Sequence, residues 1–257
     1  MIKLIFNADD FGYSRAVNLG IVDAHQLGIV TSTTLMANML GFDHAVLLAK
    51  ENPELGIGVH LTLTCGKPLL DDVLTLVNEA GNFKHLSFYK KKGFKVSEDE
   101  LFREWEAQIK KVINSGIKVT HLDSHHHTHT FGMNQKIAID LAKKYKLPLR
   151  FNYSLEADVM HTDYFESEFD IIGESQNQKF LEMLEIKLVE FNEKIKNYQT
   201  VEVMCHPAYL DDSIYEGSSY TIQRMKQVTF LTQSKFANDL KNNTDIILCN
   251  YNIFKEE

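Results

Sequence analysis

IKVTHLDSHHHTH, residues 117–129, begins as an apolar run and ends as a histidine cluster: its last nine positions hold five of the chain's eleven histidines. Residues 117–123 read as a buried strand. The imidazoles that follow are common metal ligands and the usual acid–base groups near neutral pH. An affinity tag sits at a terminus, whereas this run is internal. A strand that delivers reactive groups at its exit points to a fold in which catalytic side chains gather at the C-terminal ends of parallel strands.

Working outward, the same arrangement recurs. Residues 2–8 form a compact apolar run that meets Asp9-Asp10. Ser14 caps a following helix closed by Gly28, and 29–37 (IVTSTTLMA) is a β-branched second strand. A short helix at 42–50 precedes a third strand, IGVHLTL, that contains His60. Residues 65–97, with Pro68, three glycines and a lysine run, read as an inserted loop of the kind that often covers a site. Ser97 opens a helix over about 98–115, stopped by Gly116. Beyond the cluster come a helix at 133–146, a short strand LPLRF (147–151), an acidic stretch 152–174 with no assignment, and a helix at about 175–197. The strand TVEVMC (200–205) runs into His206-Pro207; a helix over about 219–242 and a strand at 245–249 follow. Strand and helix alternate about seven times, which implies a parallel sheet. The expected fold is α/β: one domain over 1–257, a distorted (β/α) barrel of about seven parallel strands. Asp9-Asp10, His60, His125 and His206 then converge on one mouth. No glycine-rich phosphate loop follows the first strand.

Composition is that of an ordinary globular protein, 44% hydrophobic and 24% charged. A net charge of −8 argues against nucleic acid or an anionic membrane as partner; Lys90-Lys91-Lys92 reads as a solvated loop. No apolar stretch approaches the ~20 residues needed to span a bilayer, and the first apolar run is too short for a secretory signal. Cys65, Cys205 and Cys249 are odd in number and far apart, which fits a reducing cytoplasm.

The residue types suggest a division of labour. One aspartate of the Asp9-Asp10 pair binds a metal while its neighbour stays free as a general base. Three protein ligands with open positions define a catalytic metal site, and Asp10, His60 and His125 would supply a carboxylate and two imidazoles; His60 taken alone reads equally as a hydrogen-bonded core histidine. His125 and His129 stand at i, i+4 and form the competing assignment if that segment is helical. Asp123 would orient an imidazole from behind. His206 could protonate a leaving group, or be a loop histidine packed by proline. Arg150 could pair with the free carboxylate, bind substrate or be a plain surface arginine, and Cys205 reads as core. On ligand softness the site suits Zn²⁺, Co²⁺ or Ni²⁺.

NADDFGYS (7–14), GIVTSTTLMAN (28–38), GVHLTLTCGKPL (58–69), THLDSHHHTH (120–129) and VEVMCHPAY (201–209) together resemble the YdjC-like carbohydrate deacetylases, and within them the chitooligosaccharide deacetylase branch. The resemblance implies a barrel-like fold related to NodB-type deacetylases. It implies hydrolysis of the linear amide C–N bond of an N-acetylated sugar such as chitobiose, in oligosaccharide and chitin degradation. It further implies one divalent ion, commonly Mg²⁺, on Asp10, His60 and His125, with Asp9 as base and His206 as acid. A homodimer is the usual assembly. Residues 70–97 and 152–175 depart from the branch and are where sugar specificity would lie. Two rivals stand beside this: a phosphoesterase with a second metal on Asp123, His127 and His129, and a non-catalytic metal- or sugar-binding protein.

Overall fold

In the computed structural model, seven parallel strands form one curled sheet, a half-barrel with helices on its outer face. The structure describes residues 1–150, 158–173 and 178–255, with backbone alone at 171–173 and 178–185. The strands are β1 (Ile2–Phe11), β2 (Ser32–Leu35), β3 (Gly56–Leu61), β4 (Val119–Ser124), β5 (Tyr164–Glu166), β6 (Thr200–Cys205) and β7 (Ile246–Leu248). The helices are α1 (Arg15–Gln26), α2 (Phe42–Glu51), α3 (Leu86–Tyr89), α4 (Glu98–Asn114) and α5 (Asn134–Tyr145). They continue with α6 (Gln178–Ile195), α7 (Asp212–Gly217), α8 (Ile222–Gln233) and α9 (Lys235–Lys241).

The order across the sheet is β4-β3-β2-β1-β6-β5. The flank of β1 that pairs with β2 at Asn7, Ala8 and Phe11 pairs with β7 at Ile2, Lys3 and Leu4. The two ends of the curl are tied through the LPLRF segment. The Leu122 N–H donates to the Pro148 carbonyl, the Arg150 N–H donates to the Leu122 carbonyl, and the Leu149 N–H reaches the Met160 carbonyl. Among the described residues the expected strand at 147–151 reduces to one isolated bridge, Leu122 to Leu149, and Phe151 lies outside them. Pro148 lacks the N–H that a longer ladder would need.

Buried apolar side chains fill both sides of the sheet, as expected where helices cover a parallel sheet. Ser14 caps α1 by accepting from the Val17 N–H, and Ser97 caps α4 by accepting from Glu100. The helix expected over 219–242 is instead two, α8 and α9, and α7 lies before it in the stretch expected to be a polar loop. Ser234 breaks it by leaving helical geometry and accepting from the Ala237 N–H, so that it caps α9.

The 65–97 segment is a built wall rather than an open loop. It buries Val73, Leu76, Phe83 and Tyr89. The buried Glu104 carboxylate of α4 accepts the backbone N–H of Leu69 (3.0 Å) and Leu70 (3.0 Å), and Glu100 accepts that of Thr75 (2.7 Å). Lys90, Lys91 and Lys92 are exposed at its tip, as solvated residues.

Candidate active site

The end of β1 presents two adjacent carboxylates to one side, which an undistorted strand cannot do. The β1–β2 register shifts between Ala8 and Phe11, and Asp10 takes a positive φ of 72°. This bulge re-aims Asp10 so that it and Asp9 face the same cavity, a use of bulges found next to active sites. His60 lies at the end of β3, directly opposite Asp123 of β4. His125 opens the 3-10 turn His125–Thr130, where His126 and His127 hold φ values of 56° and 53°. Two successive non-glycine residues in the left-handed region store strain, which concentrates at functional sites.

Asp10 Oδ1 stands 3.0 Å from His125 Nδ1 and 3.4 Å from His60 Nε2. Donors bound at ~2.0–2.2 Å to one ion stand near this separation. The three donor atoms all lie within 4.8 Å of one another. Behind them His60 Nδ1 donates to Asp123 Oδ1 at 2.7 Å, which turns Nε2 toward Asp10. Thr34 Oγ1 donates to Asp123 Oδ2 at 3.0 Å and steadies it. Burial opposes a charged His60, but Asp123, Asp10 and Asp9 outweigh it and push its pKa up to about 10. One carboxylate oxygen and two imidazole nitrogens thus lie within reach of a single ion. The residues therefore fit a divalent metal.

A second set, Asp9, His60 and Asp123, is also close enough to hold an ion. Arg150 already occupies it. This fully buried guanidinium grips both Asp9 oxygens at 2.7 Å, Glu202 Oε1 at 2.7 Å and Asp123 Oδ2 at 2.9 Å. Burial raises the Asp9 pKa, but Arg150 overrides it and holds the carboxyl well below the usual carboxylate range. The same contest at Asp10 is decided downward by Arg224, whose Nη2 donates to Oδ2 at 2.7 Å.

His206 follows β6 directly. Its Nδ1 donates to Asp170 Oδ1 at 2.9 Å, and its Nε2 lies 3.9 Å from Asp9 Oδ2. Burial disfavours the imidazolium, but the Asp170 carboxylate outweighs it and raises the pKa. Gln227 accepts from the His206 backbone N–H and donates to Asp170, locking the pair. Asp9, Asp10, His60, His125 and His206 all border one cavity of about 670 Å³. The inserted segment contributes His85 and Leu86 to its lining, and Gly217–Tyr220 line it as well.

A family profile described as YdjC-like protein matches residues 3–242. A carbohydrate deacetylase of Halalkalibacterium halodurans is 44% identical over 250 residues, covering 93% of this chain and 99% of the relative. One of Clostridium beijerinckii is 39% identical and covers 97% and 99%. A candidate cellobiose-phosphate cleavage protein of Enterococcus faecalis V583 has a solved structure at a TM-score of 0.86 and 34% identity, covering 99% of both chains. The chain belongs to the YdjC-like family.

In this YdjC-like chain the other histidines of the cluster have contacts of their own. His129 accepts from Ser124 Oγ at 2.6 Å and donates to the Arg150 carbonyl at 2.8 Å, so both ring nitrogens are structural. Asp123 is consumed by His60, Thr34 and Arg150. Asp123, His127 and His129 thus form no second metal set. His121 stacks on Tyr251 at 3.8 Å, beneath the site rather than in it. Burial keeps His126 and His127 neutral, at about 3 and about 4. Cys205 is core, with its thiol held above its usual range by burial.

Several partners escaped sequence reasoning: Thr34, Asp170, Glu202, Tyr220, Arg224, Gln227 and Tyr251. Only Glu202 leaves a signal, a charged residue inside the apolar strand TVEVMC. Its carboxylate is buried between Arg150 and the Tyr251 hydroxyl, which donates to it.

Among the described residues no helix is long and apolar enough to cross a membrane.

Proposed function

We propose that the chain removes N-acetyl groups from small N-acetylglucosamine oligosaccharides such as N,N′-diacetylchitobiose, using one divalent ion on Asp10, His60 and His125. The observation that carries this is the convergence of those three donors with a neighbouring carboxylate outside the set, Asp9, and an imidazole, His206, on one open cavity. Two imidazoles and a carboxylate suit Zn²⁺, Co²⁺ or Ni²⁺; the family resemblance favours Mg²⁺. When bound, the ion supplies Lewis acidity, polarising a carbonyl and lowering the pKa of water, to ~7 in favourable cases.

The residues supply the proton transfers. Asp9, held ionised by Arg150, takes a proton from water as the new C–O bond forms. A carboxylate with so low a pKa is a weak base, so the water must already be acidified. His206 Nε2 gives its proton to the amide nitrogen as the C–N bond breaks, releasing acetate and a free amine. Return of the Asp9 proton to His206, 3.9 Å away, closes the cycle.

The test is acetate release from N,N′-diacetylchitobiose by metal-stripped protein reloaded with Mg²⁺, Zn²⁺, Co²⁺ or Ni²⁺ in turn. Release that depends on the ion is expected; none with any ion rules the substrate class out. A pH profile tests the acid. His206 must be protonated to act, and Asp170 raises its pKa. Asp170→Asn therefore moves the alkaline limb of kcat/KM to lower pH. An unmoved limb would remove His206 from the acid role.

A further inference from the structure

Among the described residues, two buried side-chain atoms without a hydrogen-bond partner belong to the cavity wall: His127 Nδ1 and Arg224 Nη1. Of these, only Arg224 carries a charge at every working pH, and only Arg224 touches a proposed metal ligand. It is 4% exposed. Its Nε donates to the Tyr220 carbonyl at 2.9 Å and its Nη2 to Asp10 Oδ2 at 2.7 Å, while Nη1 donates to nothing. A guanidinium kept only to balance Asp10 gains nothing by leaving a buried donor unmade, because such a group loses its hydration without recompense. The arrangement makes sense if the acceptor arrives from the cavity.

The chemistry of that acceptor is constrained. Arg224 takes one oxygen of Asp10 and leaves the other, Oδ1, facing His60 and His125. The spare N–H therefore lies on the guanidinium that adjoins the metal ligands. An incoming oxygen there that gains negative charge is the acyl oxygen. It becomes an oxyanion as water adds to the carbonyl carbon, and it remains a carboxylate oxygen in the acetate product. We propose that Arg224 is a catalytic residue with two contacts: Nη2 fixes Asp10, and Nη1 donates to the acyl oxygen. This rests on the deacetylase assignment above. A preorganised donor aimed at developing charge acts in the transition state more than in the ground state.

Arg224→Lys keeps a cation for Asp10 but cannot make both contacts. With saturating metal, kcat on N,N′-diacetylchitobiose is expected to fall about 10²–10³-fold, with KM little changed. Metal affinity, measured by calorimetry on the full chain, stays close to that of the parent. Acetate binding to the metal-loaded protein weakens by about tenfold or more. Should the lysine variant not fold, Arg224→Gln, which can hold Asp10 through one amide N–H, carries the same expectations. A kcat near the parent's, or one fully restored by added metal, overturns the proposal and leaves Arg224 acting only through Asp10. Acetate calorimetry needs no turnover, so it separates this proposal from the deacetylase assignment. If the parent is inactive on the sugar, tighter acetate binding by the parent than by Arg224→Lys still supports the contact, and equal binding overturns it.

Discussion

Arg150→Met is expected to destabilise the fold by about 3–5 kcal/mol, the usual cost of leaving buried charge uncompensated. For a chain of this size that lowers Tm by about 6–20 °C. Arg150 is fully buried and holds Asp9, Asp123 and Glu202 together, with contacts of 2.7 to 2.9 Å. Methionine fills much of the volume and supplies none of the donors. Three carboxylates are then confined within one guanidinium's reach, away from water. The pH dependence distinguishes this from a simple packing loss. In the parent the Asp9 pKa lies below its unfolded value of 3.8. Its contribution is therefore fully present above that value and is lost only as pH falls below it, so it gives no slope between pH 7 and 5. In the variant, unpaired buried carboxyls bind protons more readily folded than unfolded, so stability rises as pH falls across that window. Thermal unfolding of both proteins at pH 7 and pH 5 is the measurement. A variant with the parent's Tm, or one without the acid gain, would show that Arg150 does not hold the cluster.

The legibility of this fold divides by sequence distance. Strands announce themselves as apolar runs, and Thr200–Cys205 falls where TVEVMC places it. The site's first layer is equally legible, because Asp9, Asp10, His60, His125 and His206 each lie at or just past the end of such a run. Its second layer is not. Arg224 meets Asp10 across 214 positions, and it comes from a helix whose polar residues look like any solvated face. Asp170 lies in the acidic stretch that offers no periodicity, and β5, three residues long, is too short to show alternation. The fused helix expected at 219–242 fails for a local reason, since a serine inside a helical pattern is neutral until its cap geometry is seen. The end of β1 and its bulge needed tertiary context. The run 2–8 predicts a strand that ends before the aspartates, whereas pairing to β2 carries it through Phe11.

Asp9→Asn and His60→Ala should fail in different ways, and the contrast tests the division of labour between adjacent carboxylates. Asp9→Asn is expected to lower kcat about 10²–10⁴-fold, the range for loss of a general base, while the protein still binds one ion. His60→Ala removes a donor from the set that includes Asp10 and His125, so ion and activity go together. Metal-dependent unfolding reads the difference without turnover. An ion at ~100 times its Kd stabilises the folded state by about 2.7 kcal/mol, which raises Tm by about 5–11 °C. The parent and Asp9→Asn should show that rise, and His60→Ala should not. Asparagine turns one of the oxygens gripped by Arg150 into an amide donor, so Asp9→Asn starts from a lower Tm, and the quantity compared is the rise on adding metal. Full turnover in Asp9→Asn would transfer the base role elsewhere. Loss of the rise in Asp9→Asn would move the ion to the deeper set of Asp9, His60 and Asp123, where Arg150 would first have to let go. The guanidinium bonds that hold the deeper set together are 2.7 to 2.9 Å long, and an ion there would have to displace them, whereas Asp10, His60 and His125 leave no guanidinium between their donor atoms to be displaced.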